Sequence, residues 1–100
     1  MPLPTTFKLG GRTWTVLLVK ELRNKRGKSI HGQCDIDLAI IEIDEDLSGE
    51  LLEHTFYHEV VHALCKTLGW AKLDDNESKV DALGNMLMQF MATKKGRLAT

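Results

Sequence analysis

The run "FYHEVVHALCKTLGW", residues 56–70, sets His58 and His62 four positions apart, with Glu59 beside the first. On a helix that spacing stacks both imidazoles on one face, one turn apart, where they can reach a single tetrahedral ion. Glu59 is rotated off that axis, so it does not compete as a ligand and is free to act as a base toward a water at the metal. The chemistry such a set supports is zinc-assisted hydrolysis. The competing reading is a partly exposed helix that carries three polar residues, and the rest of the chain has to decide.

A catalytic zinc takes a third protein ligand and keeps one position open. The stretch "DDNESKVDALGNML" (74–87) offers Glu77 and Asp81, again four apart. Their helical face continues through Val80, Gly84, Leu87 or Met88, and Met91. Both carboxylates are therefore expected on a packing face, where a charge needs a partner. A dication held by two histidines would be that partner. Against this, Asp74-x-x-Glu77 reads as a capping box and Ser78-x-x-Asp81 nearly as another. One side chain cannot both cap and ligate. His54, one turn before His58, is either a fourth ligand or a satisfied, solvent-facing histidine. Cys65 is either a ligand or a small buried thiol. His31 has the chemistry to stabilise an oxyanion, although nothing in the sequence places it near the metal.

The elements that must position these residues change character once, near residue 48. Before it the chain reads as strands: "TFKL", a Gly10-Gly11 turn and "TWTVLLV" form one hairpin. "SIHGQCDI" and "AIIEID" suit a second hairpin, joined around Asp35–Leu38. A site helix is expected over 48–69, with Ser48 as N-cap and Gly69 as its stop. A second helix is expected over 74–93, capped by Asp74 or Asp75, with a frayed tail over 94–100. On the first helix Leu51, His54, His58, Val61, His62 and Cys65 share one face, and Leu52, Phe56, Val60, Ala63, Leu64 and Leu68 cover the other. Thr55, Glu59 and Lys66 run between them, so Glu59 is expected on an open flank. Gly84 would let the two helices approach closely. The expected fold class is α+β, a small, mostly antiparallel sheet packed on two helices in one domain.

With these motifs placed, "HEVVH" followed by "NESKVD" resembles the gluzincin branch of zinc metallopeptidases, whose second motif is N-E-x-x-S-D. Asn76, Glu77 and Asp81 match that motif, and Val80 stands where the pattern has serine. The resemblance implies His58, His62 and Glu77 as zinc ligands, Glu59 as general base, and Asp81 as the acceptor that orients His58. The whole layout, "GGRTWTV…HGQCDIDLAIIEID…HEVVHAL…ESKVDALGNML", is also similar to the very short zincin-like proteins of bacteriophages and prophages. What departs from the larger gluzincins is distance. Glu77 follows His62 by only 15 positions, which leaves no room for a large second lobe.

Bulk properties narrow the remaining classes. The 100 residues, 43% of them hydrophobic, suffice for one modest core, and a net charge of −1 argues for neither nucleic acid nor membrane surface. Lys20, Arg23, Lys25, Arg26 and Lys28 read as a solvated loop with no interleaved aromatics, which argues against nucleic-acid binding. No apolar run is long enough to span a bilayer, and the N-terminus lacks a signal-peptide pattern. Cys34 and Cys65 make no disulfide framework, so a reducing cytoplasm is expected, the host's for a phage-encoded protein. Trp14 and Trp70 read as core or rim packing. The expected activity is zinc-dependent hydrolysis of a protein or peptide substrate. The alternative is a non-catalytic zinc-stabilised domain that binds a protein partner. Oligomeric state cannot be read from the sequence.

Overall fold

A computed structural model describes residues 3–99, so residues 1 and 2 of the expected strand region and Thr100 of the expected tail lie outside the described residues. The first hairpin forms as the glycines dictate. β1 (Thr6–Leu9) and β2 (Arg12–Val19) pair antiparallel around Gly10 and Gly11, both at positive φ. Phe7 lies opposite Trp14 in this register, and their rings stack with centroids 6.2 Å apart. β3 (Gly32–Asp35) and β4 (Ile40–Asp44) form the second antiparallel hairpin. The Arg12 guanidinium braces their turn by donating to the carbonyls of Ile36 and Asp37.

Two of the three strand pairings are antiparallel, as expected, but the hairpins join through a parallel pairing of β2 with β4, giving the order β1-β2-β4-β3. Buried Ile41 and Ile43 make β4 the apolar centre, and β3, which carries Gly32, Gln33 and Asp35, is left at an edge. The chain reaches β3 through a loop closed by a bridge between Arg23 and Ser29, with Asn24 Oδ1 accepting from the backbone of Arg26 and Lys28.

α1 (Gly49–Leu68) follows Ser48 as expected, although the serine side chain makes no capping bond. It stops at Gly69 (φ 73°), where the Trp70 amide returns to the Cys65 carbonyl. One side of α1 lays Phe56 and Ala63 on the sheet core of Trp14, Ile41 and Ile43. The other packs Val61 and Cys65 against Val80.

The expected second helix is divided. Ala71–Asp74 form a single turn, α2, and the long helix α3 spans Glu77–Thr93. Its N-cap is Asn76, whose side chain accepts from the Lys79 amide, and not Asp74 or Asp75. The capping box is not built because Asp74 is engaged elsewhere, with His62 and Lys66. Gly84 performs as expected: a Cβ there would lie 3.0 Å from the backbone nitrogen of His58. Trp70 lies at the rim, and Cys34 and Cys65 are free. Among the described residues no helix is long and apolar enough to cross a membrane.

Candidate metal centre

Because α3 crosses α1 at Gly84, its first turn comes level with the histidine face. His58 Nε2 lies 3.0 Å from Glu77 Oε2, and His62 Nε2 lies 3.0 Å from Glu77 Oε1. The donor atoms of His58, His62 and Glu77 all fall within 4.8 Å of one another. Bonds of about 2.0–2.1 Å at tetrahedral angles put ligand atoms about 3.3 Å apart, so small side-chain adjustments from these separations would admit an ion.

The other ring nitrogens strengthen the case. His58 Nδ1 is 3.1 Å from Asp81 Oδ1, and His62 Nδ1 is 2.7 Å from Asp74 Oδ1. If each Nδ1–H donates to its aspartate, a neutral ring turns the bare lone pair of Nε2 toward a Glu77 oxygen. Lone pair against lone pair at 3.0 Å is repulsive unless two protons or one cation stand between. The donor set therefore fits a metal ion. Four carboxylates (Glu59, Asp74, Glu77 and Asp81) surround these rings with Lys66 as the nearby ammonium, which again favours an added cation.

Asp81, which the resemblance implies as the acceptor that orients His58, lies at hydrogen-bond distance from that ring. It also accepts from His54 Nε2 at 2.9 Å. His54, His58 and Asp81 thus form a second cluster whose donor atoms could hold an ion, apart from His62 and Glu77. Burial works to raise the Asp81 pKa, but hydrogen bonds from His58 and His54 outweigh it and hold the group below the usual carboxylate range. Cys65 is enclosed with Val61 and Val80, so the small buried thiol is the correct reading. The carboxylates are less enclosed than a packing face implied: the side chains of Glu77 and Asp81 are 68% and 48% exposed.

Asp74 is the residue sequence reasoning missed, having been read only as a cap. Its Oδ1 faces His62, and its Oδ2 accepts from Lys66 Nζ at 2.8 Å. Burial again works to raise its pKa, but the bonds from Lys66 and His62 prevail and lower it. The spacing of His62 and Lys66, four apart and aimed at the chain reversal after Gly69, was the available signal.

Glu59 requires the main correction. It lies on no open flank: it is 7% exposed, covered by β3 at Gly32. Burial, with Glu77 and Asp74, pushes its pKa up to about 7, while His58 and Lys66 pull the other way. Glu59 nevertheless lines one cleft of about 460 Å³ with His58, His62 and Glu77, whose further wall is Gly32–Cys34 of the edge strand. The Cys34 thiol in that wall is pushed up to about 12 by burial and by Glu59, so it offers no thiolate near neutral pH. His31 lines an adjoining cavity of about 450 Å³ that also touches His58 and Glu59.

Fold and site together define an α+β domain with two histidines and a glutamate arranged to hold a metal ion. Compared with known proteins, the chain matches no family model, no curated protein and no solved structure.

Proposed function

We propose that the chain is a minimal zinc-dependent peptidase of gluzincin type, acting on an extended protein or peptide segment. The observation that carries this is the convergence of His58, His62 and Glu77, with each histidine backed by its own aspartate. Two imidazole nitrogens and one carboxylate oxygen are a donor set that suits zinc and leaves a position open. The ion would supply Lewis acidity toward a water and toward the scissile carbonyl.

The chain's own groups do the rest. Glu59 takes a proton at its carboxylate and returns it to the leaving nitrogen. Glu59 lines the same cleft as His58, His62 and Glu77, within reach of a water held there. Asp81 and Asp74 hold the tautomers that turn Nε2 of both histidines toward the ion. Edge strand β3 has β4 on one side and the cleft on the other, so its free side can pair with an extended substrate. Both cysteines are free, which suits a reducing, cytoplasmic setting.

The purified chain is expected to carry one zinc per chain, measured by elemental analysis, and Glu77→Ala is expected to lose it. Glu59→Gln should keep the zinc and abolish peptide hydrolysis. Undiminished zinc in Glu77→Ala would remove Glu77 from the ligand set. The small seam of Val61, Cys65 and Val80 between α1 and α3 favours a second reading, in which zinc only staples the two helices. Tightly held zinc in a wild-type chain that hydrolyses no peptide would select that reading.

A further inference from the structure

α1 is approached closely through three glycines, Gly10 against Thr67 near its C-terminal end and two others beside the histidine face. Gly84 brings α3 onto the backbone of His58. On the opposite flank, Gly32 brings β3 onto Thr55 and Glu59, both nearly fully buried. A Cβ added at Gly32 would lie 2.9 Å from Thr55 Cγ2, 3.1 Å from Glu59 Cγ and 3.2 Å from the Glu42 carbonyl oxygen. Gly32 is not among the residues at positive φ, so its backbone is one that any residue adopts. A side chain is excluded here by space, not by conformation.

We propose that Gly32 is a positioning residue for Glu59: the bare α-carbon of the edge strand lets the Glu59 side chain lie beside His58 and His62. The three atoms that box in the missing Cβ are not equally able to yield. The Glu42 carbonyl belongs to the β3–β4 ladder and cannot move without breaking it. Thr55 is 5% exposed, and its branched side chain has few rotamers available on a helix. The Glu59 stem is the softest of the three, so a larger residue at 32 displaces the carboxylate or lifts β3 from α1. Either change alters the wall of the cleft while leaving His58, His62 and Glu77 in place. Only the catalytic consequence rests on the peptidase reading; the steric coupling does not.

The test is a set of thermal melts in one zinc-containing buffer. Gly32→Ala should lower Tm by about 5–10 °C in the wild-type background. The drop should shrink by at least about half when Thr55→Ser removes Cγ2, and likewise when Glu59→Ala removes Cγ. A drop that Glu59→Ala leaves undiminished overturns the proposal, whatever Thr55→Ser does. If Gly32→Ala does not fold alone, recovery of folding by Glu59→Ala reports the Gly32–Glu59 contact, and no recovery overturns the proposal. In the kinetic arm, Gly32→Ala should keep its zinc and lose at least about tenfold in kcat with KM little changed. Adding Thr55→Ser should restore part of that loss. An unchanged kcat in Gly32→Ala, beside an active wild type, overturns the proposal. A wild type inactive on every peptide sinks the peptidase reading instead, and the melts still decide whether Gly32 and Glu59 are coupled.

Discussion

Glu59 on α1 and Asp74 on α2 flank the same histidines, both largely buried. Burial works to raise both pKa values, yet only that of Glu59 ends up raised. Asp74 receives hydrogen bonds from His62 and Lys66, which hold its pKa below the usual range. Glu59, under β3, feels burial first and the charges of Glu77 and Asp74 besides; His58 and Lys66 offset them only in part. A carboxylate that spends both oxygens on donors is fixed as an anion and can orient a ligand. One that burial dominates stays poised near neutrality and can exchange a proton. Which carboxylates have donors thus decides which is held as an anion and which stays near neutrality.

The largest expected effect tests the Glu59 side of this contrast. In the metal-free chain its pKa rises from an ordinary 4.5 to about 7, so the folded state prefers the protonated form. The cost is absent below about pH 4.5, accumulates as pH rises toward 7 and is complete above it. The groups facing Glu59 (His58, Lys66, Glu77 and Asp74) are common to wild type and variant, so a comparison with Glu59→Gln isolates the carboxyl. With chelator present, Glu59→Gln should gain stability over wild type by about 3 kcal/mol at pH 8 and by close to nothing at pH 4. Urea denaturation at the two pH values measures it. A pH-independent difference would mean that Glu59 is solvated and the contrast false.

Next come the two aspartates. Asp74→Asn should weaken zinc binding by roughly 10–100-fold, and Asp81→Asn should fall toward the lower end of that range. The asymmetry follows from exposure, since the Asp74 side chain is 15% exposed and that of Asp81 48%. Water can replace part of what Asp81 provides. Competition against a chelator of known affinity reads both values, and equal losses would mean that burial of the acceptor does not matter here. The pH signs also differ from that of Glu59. Both aspartates are lowered, so their contributions are present above their ordinary 3.8 and are lost as pH falls through the folded values.

Much of this arrangement was legible in the residues because it depends on local periodicity. Gly10-Gly11 marks one hairpin, Gly69 ends α1, and four-residue spacing puts His58 and His62 on one face. Glu77 met them because Gly84 permits a close crossing, which the sequence also suggested. Three things depended on partners distant in the chain. The parallel β2–β4 pairing is set by which strands bury Ile41 and Ile43, not by any one strand's pattern. Glu59 was expected on an open flank because a helical wheel gives an angle but not what covers it; β3 covers it, through a glycine. Asp74 was read as a cap because local capping rules describe its neighbours in sequence, while His62 and Lys66 reach it across the reversal at Gly69.

The smallest effects concern the outer partners, Lys66 behind Asp74 and His54 behind Asp81. Both donate to a carboxylate that in turn holds one of the candidate ligand histidines, and neither belongs to the His58, His62 and Glu77 group. Lys66 bonds a buried acceptor that has little water to fall back on, whereas Asp81 is half exposed. Lys66→Met should therefore cost more zinc affinity than His54→Ala, each by at most about fivefold. A chelator-competition titration of the two variants checks the order. If His54→Ala proves the costlier, by tenfold or more, His54 is bound to the ion and not to Asp81. Four protein donors would then close the site to water, and the stapling reading would replace the catalytic one.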